Sequence, residues 1–126
     1  MSVLTQPPTM GDVLKYELNP NFTRETVTLL AGTSYPVGAV LGRITASGKM
    51  KLSTSAGSDG AQNAAAVLLY ATDATTTDAE AVVITRGPAI VSKAALVFDA
   101  SVDDAAKTAA KYTQLTALGI IPRDAA

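Results

Sequence analysis

Residues 36–53, PVGAVLGRITASGKMKLS, decide the fold. Val40, Gly42, Ile44 and Ala46 share one face of a period-2 pattern, the spacing of a half-buried strand. Ser47-Gly48 supplies a turn, after which Met50 and Leu52 alternate with Lys49, Lys51 and Ser53. The stretch predicts a β-hairpin with one face toward a core. Gly38 and Gly42 predict a close backbone approach, a bulge or a sharp bend within it.

Short apolar runs continue on both sides. Upstream, Val27 and Leu29 alternate with Thr26 and Thr28, and Asn19-Pro20-Asn21 separates that strand from a shorter one before it. Gly32-Thr33-Ser34 reads as a turn. Downstream, residues 54–63 read as a flexible polar loop. AAVLLY at 65–70 is too short for an ordinary helix and suits a buried strand. TDATTTDA at 72–79 reads as loop, Ala81-Val82-Val83-Ile84 as a strand closed by Arg86-Gly87-Pro88, and Ala89-Ile90-Val91 and Ala95-Leu96-Val97-Phe98 as the last strands.

The pattern changes after Ser101. Ser101 and Asp104 have capping-box spacing, Asp103 and Asp104 complement a helix dipole, and Asp103 with Lys107 makes an i,i+4 pair. A helix over about 102–118 follows, with Val102, Ala106, Ala109 and Thr113 on one face and Gly119 as its stop. Ile120-Ile121-Pro122 leaves it as an extended apolar segment that either packs back on the strands or contacts a partner. The fold class is therefore mainly β: a small β-clip or barrel-like domain of short strands with one C-terminal α-helix. Residues 1–12, with Pro7-Pro8, read as a flexible arm ahead of a β-rich domain at 13–126.

Composition argues against chemistry. The 126 residues contain no His and no Cys, which removes the usual general base, thiol nucleophiles, disulfides and Cys/His zinc sites. Serines lack an activating base, and Asp103-Asp104 is explained by the helix start. Asp59, Asp73 and Asp78 lack the spacing of a calcium loop, and the glycines match no nucleotide-binding pattern. No catalytic, metal or cofactor residue is assigned, and the chain is expected not to be an enzyme. Ten Lys+Arg against eleven Asp+Glu are scattered, so a phosphate-binding face is not expected. No apolar run approaches membrane-spanning length, and the first residues lack the pattern of an export signal. Hydrophobic residues are 48% of the chain but aromatics only 5%, with no Trp. Contacts through backbone pairing or broad aliphatic surfaces are expected in place of an aromatic hot spot.

YPVGAVLGRI (35–44), followed by a lysine-bearing strand, a polar loop containing Asp59-Gly60, an apolar strand, a Thr-rich acidic loop and a strand ending at Gly87, resembles the head decoration proteins of tailed bacteriophages, the lambda-like capsid-stabilising group. The resemblance covers roughly 35–100, with a looser match in the arm and at Ile120-Ile121; Ala66-Val67-Leu68 stands where that family commonly has a glycine-led strand. It implies a homotrimer that binds the major capsid protein at three-fold sites on the outer surface of the expanded head and holds it against packaged DNA. It implies no cofactor, no nucleic acid and no membrane, and synthesis in the bacterial host cytoplasm.

The resemblance also implies an arm that adds to a sheet of the shell subunit. In this chain the arm would use Val3, Leu4, Thr5, Gln6, Thr9 and Met10. Pro7 and Pro8 cannot donate ladder hydrogen bonds, so the added strand would be 3–6 or 9–14. Tyr35, Leu41 and Phe98 are the candidates for the trimer interface. The rival functions are another trimeric virion surface module and a carbohydrate-binding β-domain; the absence of Trp argues against the second.

Overall fold

The computed structural model describes residues 9–124. A helical turn, α1 (Met10–Val13), leads into β1 (Leu14–Glu17); a second turn, α2 (Pro20–Thr23), leads into β2 (Arg24–Leu29). Then come β3 (Thr33–Tyr35), β4 (Val40–Arg43), β5 (Met50–Leu52), β6 (Ala64–Leu68), β7 (Thr72–Ala74), β8 (Ala79–Ile84) and β9 (Ala89–Ser92). The helix α3 (Ala105–Ala117) and β10 (Ile120–Arg123) complete the chain. The architecture is mainly β with a C-terminal helix, as the sequence predicts.

Five strands close into a barrel in the order β2-β5-β4-β6-β8. The expected hairpin is its β4–β5 pair, with Leu41 opposite Leu52 and Arg43 opposite Met50. β2 and β8 run antiparallel through six residue pairs, and a single parallel pairing of Leu29 with Met50 completes the closure. A separate three-stranded sheet, β1-β9-β10, lies beside the barrel, and β3 with β7 forms a small ribbon.

The period-2 alternation sorts side chains into two cores. Leu41, Ala66, Leu68, Ala81 and Val83 join Val27, Leu29, Tyr35 and Met50 in one cluster. Their neighbours Val40, Val67, Leu69 and Ile84 point the other way, into a second cluster with Val13, Ala89, Val91, Leu115 and Ile120. The hairpin therefore has two buried faces, because the second sheet and α3 cover the outside of the barrel. Gly42 fits the expected close approach: a side chain there would overlap the backbone of Ala61.

Several boundaries differ from expectation. Thr33–Tyr35 and Thr72–Ala74 are strands, because each supplies the other's hydrogen-bond partner across a long separation in sequence. Residues 95–98 are not a regular strand; a 3-10 turn at Lys93–Ala95 precedes one isolated bridge from Val97 to Ala39. Helix α3 starts at Ala105, with Asp104 as its cap, its side chain accepting from the Lys107 N–H at 2.8 Å. Ser101 lies outside the helix and bonds Asp99. The buried face of α3 carries Lys111 and Leu115, whereas Ala106, Ala109 and Thr113 are exposed. Counting a lysine as solvent-facing rotates the predicted face away from the real one.

Candidate interaction surface

Lys15-Tyr16-Glu17-Leu18 alternates charged with apolar residues, and the simplest pattern would turn Tyr16 and Leu18 inward. The fold does the reverse. Tyr16 is 49% exposed and Leu18 58%, while the Glu17 side chain is only 10% exposed. Local structure explains the inversion. Asn19 caps α2 by accepting the Asn21 N–H at 2.9 Å, with Pro20 in the first helical position, where its missing N–H costs nothing. This turn brings Thr23 and Arg24 back over Glu17. The carboxylate accepts from Thr23 Oγ1 at 2.6 Å and from Arg24 Nη2 at 2.5 Å. Hydrogen bonding to Arg24 holds the Glu17 carboxyl below its ordinary range, against the opposing effect of burial.

With Glu17 turned in, Tyr16 stands on the outer face of the β1-β9-β10 sheet. It pairs with Ile90, and Ile90 pairs with Ile121, so one row of three apolar side chains crosses all three strands. Together with Gly87, Pro88 and Gly119 they line an open groove of about 470 Å³. Phe22 is also exposed, at 53%; the Arg86 guanidinium lies 5.6 Å from its ring centre and donates to the Phe22 carbonyl at 2.5 Å. A contiguous apolar row on a solvent-facing sheet is the kind of surface that another protein covers. β1 and β10 have only β9 as a sheet neighbour among the described residues, so each also presents an outer edge.

The expected site residues fall differently. Leu41 is fully buried inside the barrel, and Tyr35 is 2% exposed with its hydroxyl donating to the Leu30 carbonyl at 2.8 Å. Neither can meet another chain without opening the core, because both belong to the cluster inside the barrel. Phe98 is half-buried and packs edge-on against Tyr112, with ring centres 6.0 Å apart. Val3, Leu4, Thr5 and Gln6 lie outside the described residues. Thr9 is exposed, but Met10 packs against the second core, and Leu14 is already paired with Val91. The 9–14 stretch is thus part of the domain and not a spare strand, because Met10–Val13 is helical. Tyr16, Leu18, Phe22 and Ile90 are the surface residues that the sequence reading misses, whereas Ile121 lies in the tail it considers for a partner contact; the neighbouring Arg24, which can neutralise Glu17, was the available signal.

The acidic loop residues are engaged locally. Asp59 pairs with Lys51 at 2.8 Å and accepts the Ala61 N–H; Asp78 pairs with Lys49 at 2.5 Å and accepts the Ala31 N–H; Asp73 accepts the Thr75 N–H. Bonding to Lys51 and to Lys49 holds Asp59 and Asp78 below the usual carboxylate range. Among the described residues no group of three or more acidic side chains is placed to hold a metal ion, and no helix is long and apolar enough to cross a membrane. A family model described as bacteriophage lambda head decoration protein D matches residues 3–120. No curated protein matches the chain closely enough to count as a relative.

Proposed function

The chain belongs to the family of the bacteriophage lambda head decoration protein D, and from that premise we propose that it works as a homotrimer on the outer surface of the expanded phage head. There it binds the major capsid protein at three-fold sites and holds the shell against packaged DNA. It acts by binding and performs no catalysis. Its partners are protein, without nucleic acid, membrane or cofactor, and it is made in the host cytoplasm before joining the virion.

The observation that carries this reading is the outward apolar row of Tyr16, Ile90 and Ile121. We assign this face to the contact between copies, and residues 3–6 of the arm to the shell. Burying the row removes apolar area from water at about 25 cal/mol per Å². The arm contributes backbone bonds to a sheet edge of its partner, a mode that needs few aromatic anchors. Three arms on one trimer would turn a weak single contact into durable attachment. The lysines at 49, 51 and 107 are paired with carboxylates of this chain, which supports a protein partner over a phosphate backbone.

Co-sedimentation with expanded shells tests the reading. The full chain is expected to pellet with the shells and to sediment alone as a trimer. A monomer that does not associate with shells would overturn it.

A further inference from the structure

Among the described residues the one buried side chain that carries a charge belongs to Lys111, which is 2% exposed. Its ammonium donates to Ser53 Oγ at 2.9 Å and to the carbonyls of Thr54 and Gln62, each at 2.6 Å, with Gln114 Oε1 at 3.5 Å. An ammonium has three protons, and three close acceptors satisfy them. All of these acceptors are neutral, and Lys111 forms no ion pair among the described residues.

The acceptors sit at the two ends of one loop. Thr54 opens the polar stretch 54–62 and Gln62 closes it, so the cation ties its base together from the side of α3. Ser53 Oγ extends the tie by donating to the Ala61 carbonyl at 2.7 Å. A second hold comes from Ser101 Oγ, which accepts the Ser55 N–H at 3.0 Å while donating to Asp99. Carbonyl dipoles that converge on one point repel unless a positive charge occupies it. The loop is rich in Gly and Ser. Its far half is held to the barrel by Asp59, which pairs with Lys51 and whose carbonyl accepts the Thr45 N–H, and by Ala61 packed on Gly42, while its tie to α3 runs through Lys111.

We propose that Lys111 is a conformational pin: its ammonium sets the shape of the base of loop 54–62 and locks it to α3, and loss of that charge loosens the loop from α3 while the barrel stays closed. The charged groups on the surrounding elements do not replace it. Asp99 favours the charged form but is bonded to Ser101; Asp59, in the loop, is paired with Lys51; Asp103 and Asp104, at the start of α3, are paired with Lys107. Burial pushes the Lys111 ammonium below the ordinary lysine range, so the pin weakens at a lower pH than an exposed lysine would need.

Two measurements on the full chain test this. Reductive methylation with formaldehyde and cyanoborohydride, followed by peptide mass analysis, is expected to modify Lys15, Lys49, Lys51, Lys93 and Lys107 before Lys111. Lys111 reacting as fast as the others would overturn the proposal without any variant. In hydrogen exchange, Lys111→Met is expected to raise exchange of residues 54–62 by about tenfold or more, with β4 and β6 unchanged. For Lys111→Ala, added propylammonium should restore protection where tetramethylammonium, which has no N–H donor, does not. Unchanged exchange of 54–62 in Lys111→Met, or equal rescue by both cations, would also overturn it.

Discussion

Gly42 on β4 lies flat against the backbone of Ala61, so close that a Cβ at position 42 would overlap the Ala61 carbonyl oxygen. That carbonyl already accepts from Ser53 Oγ, and Ala61 is fully buried, so neither neighbour can step aside. The constraint is space, not backbone conformation. Gly42→Ala is expected to destabilise the fold by about 2–3 kcal/mol. Gly48, in the hairpin turn, is the control: its φ is +75° and nothing lies within 4 Å of a built Cβ. Gly48→Ala should cost only about 1 kcal/mol, from backbone strain. Urea unfolding of the two variants gives the comparison; equal losses would mean that the packing of loop on strand is not what Gly42 serves.

The hairpin was legible because period-2 alternation and a Ser-Gly turn are local signals, but its register was not: a two-residue Ser47-Gly48 turn would set Thr45 opposite Met50, whereas Arg43 stands there because Thr45 and Ala46 belong to the turn. Its double-sided burial was not legible, because that depends on a sheet built from residues 14–17, 89–92 and 120–123, far apart in sequence. The same limit explains the interface candidates. Leu41 looks outward only while Val40 marks the core side; the closed barrel takes Leu41 inside, and β9, β10 and α3 cover Val40, while Tyr16 looks inward only until Arg24 folds back on Glu17. Lys111 misleads in the same way, since its partners lie 49 to 58 residues away.

Glu17 gives a prediction in acid. Its folded-state pKa lies below the ordinary value of 4.5 because Arg24 and Thr23 bond the carboxylate. Stability from the ionised form is therefore fully present above the unfolded value and is lost as pH falls through the folded one. Near neutral pH, Glu17→Gln is expected to cost about 1–2 kcal/mol. That difference from the parent protein should shrink steadily below about pH 4.5. Urea melts of both proteins across this range measure it, with the other carboxylates cancelling in the subtraction. A difference that stays constant with pH would rule out the Glu17–Arg24 pair as its source.

The arm boundary can be tested by two truncations. Met10 packs on the second core and Asp12 accepts the Thr9 N–H at 2.8 Å, so removing residues 2–12 cuts into the domain. That deletion is expected to lose about 1–3 kcal/mol of folding stability. Removing only residues 2–8 should leave the melting behaviour of the domain intact. Both truncations should lose co-sedimentation with expanded shells. If the 2–8 deletion binds shells as well as the full chain, the arm is not the shell contact.

The apolar row separates assembly from folding. Tyr16 is half exposed and Ile121 only partly buried, so Tyr16→Glu combined with Ile121→Glu should change unfolding free energy by no more than about 1 kcal/mol. Two carboxylates facing a desolvated contact would nonetheless break a trimer that uses this face, because each would be buried without a partner. Leu41→Ala should behave oppositely: it opens a cavity in the barrel and costs about 2–5 kcal/mol. Sedimentation equilibrium of the two variants at matched concentration, beside urea melts, resolves the cases. A double variant that still sediments as a trimer would remove the β1-β9-β10 face from the contact between copies and leave it as a surface for the shell.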